Sequence, residues 1–148
     1  MTSKKLARIV RVKKLMEQAR SAELAERQAV LSSAAMNLRQ THEDLRSLDD
    51  AQTEVRPSAE QLQAAAAYQG HLERRAVEVQ EEVVVAKQQV EEGRGLVEEV
   101  WRERRVLEDF QERLIERERA EMDTAERRIA DDMALNAHIR AAQALGDL

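Results

Sequence analysis

The chain has 148 residues, the length of one domain, yet 36% of them are charged and only 2% are aromatic. So little aromatic bulk excludes a thick globular core, and the dominance of Ala, Glu, Arg, Leu and Gln points instead to long helices packed along a narrow apolar seam. The absence of cysteine excludes a disulfide framework and thiolate chemistry. A net charge of −5 gives no expectation of general attraction to nucleic acid, leaving only the basic N-terminus as a surface for nucleic acid or a membrane.

The first element opens on "MTSKKLARIVRVKKLM", which carries six basic residues (Lys4, Lys5, Arg8, Arg11, Lys13 and Lys14) and no acid. It lacks the continuous apolar block of a secretory signal, and no apolar run in the chain approaches the roughly 20 residues that span a bilayer. A cytosolic protein is expected. Lys4 and Lys5 sit in a first helical turn, where the macrodipole disfavours cations. The cluster therefore suits contact with an acidic partner better than support of its own helix. Farther on, Leu24, Leu31, Leu38 and Leu45 repeat every seven residues, with Ala34, Leu48 and Val55 on the adjoining row. Residues 6–23 give no single register. Helix 1 is predicted over about 3–55.

The only proline, Pro57, ends that helix: it has no N–H and biases Arg56 away from helical geometry. Ser58 followed by Gln61 matches a capping box opening a second helix. A turn over 56–58 this short forces the two helices antiparallel.

Helix 2 is predicted from 59 to about 145, with Gly146 as its stop. One row of its seam is Ala65, Leu72, Val79, Ala86, Gly93, Val100, Leu107 and Leu114, seven apart throughout. The companion row is Leu62, Gln69, Ala76, Val83, Val90, Val97, Arg104 and Gln111. Sustained heptads of this kind describe a helix packed lengthwise on another. Pairing about the turn sets Leu45 near Leu72, Leu38 near Val79 and Leu31 near Ala86. Helix 1 then runs out opposite residues around 115, leaving roughly 45 Å of helix 2 as an overhang. There the apolar stripe shifts to Ile115, Met122, Ile129 and Met133. An external partner, self-association or a third short helix folding back would each cover it. Gly93 and Gly95 cost the helix about 1 kcal/mol each relative to Ala and predict a bend or a close helix approach.

The fold class is thus all-α: a single antiparallel coiled-coil hairpin with the second helix overhanging. Catalytic chemistry is not visible in it. There is no phosphate loop, no Ser/His/Asp set and no metal-spaced cluster, and His42, His71 and His138 are far apart in sequence. Two packed helices offer no pocket to desolvate a carboxylate, so a non-enzymatic protein without cofactor or metal is expected.

The stretches "LQAAAAYQGHLERRAVEVQEEV" (62–83) and "WRERRVLEDFQERLIERERAEMDTAERRIADD" (101–132) resemble the FliJ family of flagellar export proteins, which has YscO-type relatives in virulence type III secretion. The points of likeness are Tyr68 and Gln69 followed by Leu72, then Leu107, Glu108, Phe110 and Arg113 before a charged tail. Gly70 and His71 stand where family members tend to carry an aromatic or large apolar residue. The resemblance implies a stalk-like, cytoplasmic component of the export apparatus, peripheral at the inner face of the membrane. The end carrying both termini would bind a hexameric export ATPase through Lys4, Lys5, Arg8, Arg11, Lys13, Lys14, Arg117, Arg119, Met122, Arg127, Arg128 and Ile129. The turn end would bind the export gate through Tyr68, Gln69, His71 and Leu72, and export chaperones are further implied partners. The resemblance implies neither nucleic acid nor a small-molecule substrate. The alternative is a structural scaffold that self-associates through the overhang.

Overall fold

The computed structural model describes residues 1–54 and 56–146, and two long α-helices make up nearly all of them. Helix α1 spans Ser3–Glu54 and α2 spans Ala59–Gly146, packed against each other as an antiparallel hairpin, with no strand among the described residues. The predicted end of helix 1 at Val55 lies outside the described residues. Helix α2 is unbroken to Gly146, so no third helix folds back among the described residues.

Both helix starts are capped. The Thr2 carbonyl accepts from the Leu6 amide at 3.1 Å, and its Oγ1 accepts from the Lys5 amide at 3.4 Å. At α2, the Gln61 amide donates to Ser58 Oγ at 3.2 Å while the Ser58 amide donates to Gln61 Oε1 at 3.0 Å. This is the reciprocal capping box expected from the sequence, and it satisfies donors that a helix start otherwise leaves open.

Packing divides into two compact units. In the unit Leu15–Trp101, the predicted rows of α2 form the core: Leu72, Val79, Val83, Ala86, Val90, Gly93 and Val100 are buried. Val79, at 0% exposure, is the most deeply buried of them. From α1, Ala34 and Thr41 are buried, and Leu24, Leu31, Leu38 and Leu45 are half-buried. Thr41 Oγ1 donates to the Asn37 carbonyl at 2.9 Å, so its burial leaves no polar atom unmatched. A Cβ on Gly93 would lie 3.1 Å from Leu24 Cδ1 and 3.3 Å from Arg27 Cδ, whereas one on Gly95 would meet nothing within 4 Å. Gly93 therefore marks the close approach of the two helices.

The unit formed by Met1–Lys14 and Arg102–Leu148 is held differently. Leu6 and Val10 are its buried apolar residues, facing a more polar row of half-buried α2 residues: Arg104, Leu107, Gln111 and Leu114. Beyond Glu118, every described residue of α2 is exposed. The overhang thus begins within a few residues of where the pairing register sets it.

The register that the sequence leaves open in α1 is also resolved. Burial falls on Ser3, Val10, Glu17, Leu24 and on Leu6, Lys13, Arg20, Arg27, the same seven-residue rows that the later leucines follow. Long charged side chains fill seam positions there, where an amphipathic side chain can combine an apolar stem with a polar tip. Lys13 and Arg27 direct their charged groups to Glu103 and the Gln89 carbonyl of α2.

Candidate partner-binding surfaces

At the start of α1, the local sequence and the pairing register together build a clamp. The Ser3 amide donates to Glu118 Oε1 at 3.1 Å, and Ser3 Oγ donates to Glu118 Oε2 at 2.7 Å. One carboxylate from α2 thus satisfies an open donor of the α1 start and sets a negative charge at its positive end. The two bonds from Ser3, aided by the charge of Lys4, hold the Glu118 carboxyl below its ordinary value. The unfavourable placement of Lys4 and Lys5 is offset in this way, though no short-range motif signals it.

Two more contacts fasten the same unit. Lys13 Nζ pairs with Glu103 Oε2 at 2.6 Å. Glu108 gathers three cations: Arg104 at 2.8 Å, Arg105 at 3.7 Å and Lys14 at 3.8 Å. Two of the six basic residues of the N-terminal cluster are therefore paired within the chain. Lys4, Lys5, Arg8 and Arg11 remain exposed and make no ion pair within 4.0 Å among the described residues. Lys4–Arg8 and Arg8–Arg11 are i,i+4 and i,i+3 neighbours, so three of them share one face of α1.

On α2, Arg117, Arg119, Arg127 and Arg128 are exposed, as are Met122 and Ile129. Lys4 follows Ser3 in the Ser3–Glu118 clamp, and Arg117 and Arg119 flank Glu118 in sequence. Arg127, Arg128 and Ile129 lie roughly 15 Å farther along the helix, on the uncovered stretch. Met122, Ile129 and Met133, at i, i+7 and i+11, form an apolar stripe that nothing in the described residues covers.

Near the turn, Tyr68 is half exposed and His71 is exposed. Gln69 Nε2 donates to Glu73 Oε1 at 3.1 Å along the same helix. Leu72 differs from the other three. At 6% exposure it belongs to the seam, as its place in the Ala65–Leu72–Val79 row already indicates.

A family model described as "Flagellar FliJ protein" matches residues 2–143. The chain belongs to the FliJ family. No curated protein and no solved structure matches it. FliJ proteins are non-catalytic components of the flagellar protein-export apparatus. No described helix of this FliJ-family chain is long and apolar enough to cross a membrane.

Proposed function

We propose that this chain is the stalk of a flagellar export apparatus, binding the hexameric export ATPase by its termini end and the export gate by its turn end. The observation that carries the reading is the uncovered stretch of α2 after Glu118, where exposed Met122 and Ile129 accompany Arg119, Arg127 and Arg128. An apolar stripe left without an internal partner, its exposed arginines interspersed with Glu121, Asp123, Glu126, Asp131 and Asp132, suits a protein surface carrying charges of both signs. Lys4, Lys5, Arg8, Arg11 and Arg117 extend the same surface, and Lys13 and Lys14 support it from within their ion pairs. A single asymmetric hairpin inside a six-fold ring contacts the subunits unequally, so it biases their conformations by differential affinity. At the other end, Tyr68, Gln69 and His71 form the gate contact, with Leu72 shaping the helix beneath them. The protein then works in the cytoplasm, peripheral at the inner face of the membrane, where export chaperones also reach it.

Purified export ATPase tests the reading. It should co-elute with the chain and hydrolyse ATP faster in its presence, and K4E/K5E/R8E/R11E should remove both effects. Absence of both co-elution and stimulation would refute the proposal. The exposed Met122–Ile129–Met133 stripe also favours a second reading, a scaffold self-associating through the overhang. In that case sedimentation would show a concentration-dependent dimer that M122K/I129K dissociates.

A further inference from the structure

Within the unit Leu15–Trp101, α1 and α2 border a groove of about 920 Å³ that the surfaces above do not use. Its floor is the buried pair Ala34 and Ala86, and its walls are Val30 and Val85, exposed at 61% and 55%. Four carboxylates line it, Glu26 from α1 and Glu78, Glu81 and Glu82 from α2. The one cation lining it, Arg27, donates from Nη1 to the Gln89 carbonyl at 2.9 Å, so one positive charge stands against the four carboxylates. Glu26, Glu81 and Glu82 make no ion pair within 4.0 Å among the described residues, in contrast to Glu103 and Glu108. A neighbouring groove, lined by Arg39, Glu43 and Arg46, carries both signs and has no such bias.

We infer that this groove docks a basic amphipathic helix of a partner protein, a contact separate from the two proposed above. The groove runs over residues 26–37 of α1 and 78–89 of α2, about 17 Å, or three turns of helix. A helix laid there sets small or branched apolar residues at i, i+3 or i+4 and i+7 against Val30 and Val85. The pair of helices becomes locally a three-helix bundle. Lysines or arginines flanking that stripe meet the carboxylates on both walls, whereas an acidic helix is repelled by the same charges.

The test uses the full chain and a fluorescein-labelled synthetic helix with leucines at heptad a and d positions and lysines elsewhere, read by fluorescence anisotropy. The lysine helix should bind, and its glutamate-for-lysine counterpart should not. E78K/E81K/E82K should weaken binding by at least about tenfold, equivalent to roughly 1.4 kcal/mol. The same charge change made elsewhere, E112K/E116K/E121K, should leave it within about twofold, because exposed distant charges are screened. V30S/V85S, which alters no charge, should also weaken binding, with circular dichroism showing that every variant stays helical. Equal losses from the two glutamate triples, or no effect of V30S/V85S, would reduce the binding to non-specific attraction and overturn the inference. A sedimentation dimer of the free chain that V30S/V85S dissociates would overturn it as well, by giving the groove to a second copy.

Discussion

Replacing a valine by alanine on α2 should destabilise the chain at one position and leave it level or slightly more stable at another only two residues away. Val79 is fully buried in the seam, whereas Val77 is 60% exposed. Val79→Ala removes two buried methyl-sized groups, a loss of about 1.6 kcal/mol at roughly 0.8 each. The void left behind adds to that cost, since neighbouring side chains relax only in part. Alanine returns about 0.5 kcal/mol through its better helix propensity. The net loss should be about 1–2 kcal/mol, lowering Tm by roughly 3–6 °C for a chain of this size. Val77→Ala forfeits little burial and keeps the propensity gain, so Tm should stay level or rise by about 1 °C. Thermal and urea melts followed by circular dichroism at the helix band measure both. Equal losses at the two positions, or a larger loss at Val77, would refute the seam register on which the fold rests.

Other consequences of the structure are open to equally direct checks. Gly95→Ala should stabilise the chain by up to about 1 kcal/mol, because its Cβ meets open space, while Gly93→Leu should destabilise it by forcing Leu24 and Arg27 away; denaturant midpoints report both. Ser58→Ala should cost about 1 kcal/mol by removing the capping oxygen of α2, and Ser58→Asp should recover most of that loss in the same melts. The Glu118 carboxyl is lowered from 4.5 in the folded chain, so its clamp contributes fully above the unfolded value and is lost as pH falls through the folded one. An NMR titration should show this depressed value moving back toward 4.5 in Ser3→Ala, and exchange protection of the first turn of α1 should fall at acid pH. A Glu118 titration unchanged by Ser3→Ala would remove the clamp from the account.

The parts of this fold visible in the sequence are those set by local chemistry or by apolar repetition. Pro57 with the Ser58/Gln61 box specifies the turn and the second helix start, and both rows of α2 from Leu72 to Val100 lie where their spacing puts them. The register of α1 before Leu24 was not legible, because Lys13, Glu17 and Arg20 hold seam positions and a hydrophobicity pattern counts them as surface. The Ser3–Glu118 clamp joins residues 115 apart and follows from no motif; only extension of the pairing register toward the termini points to it. Among the candidate contact residues, Tyr68 and His71 face outward. Leu72 carried two signals at once, and its heptad position is the one that describes its packing. The acidic groove has no signature in the sequence, because its carboxylates come from two helices and on either one alone form an ordinary solvated face.

Site-specific photo-crosslinking in cells that assemble flagella addresses the stalk function most directly, with a benzophenone residue placed at Ile129 or, separately, at Tyr68. Position 129 should capture the export ATPase and position 68 the export gate, each without the other's product. Capture of only a second copy of this chain from position 129 would contradict the account and leave the self-associating scaffold in its place.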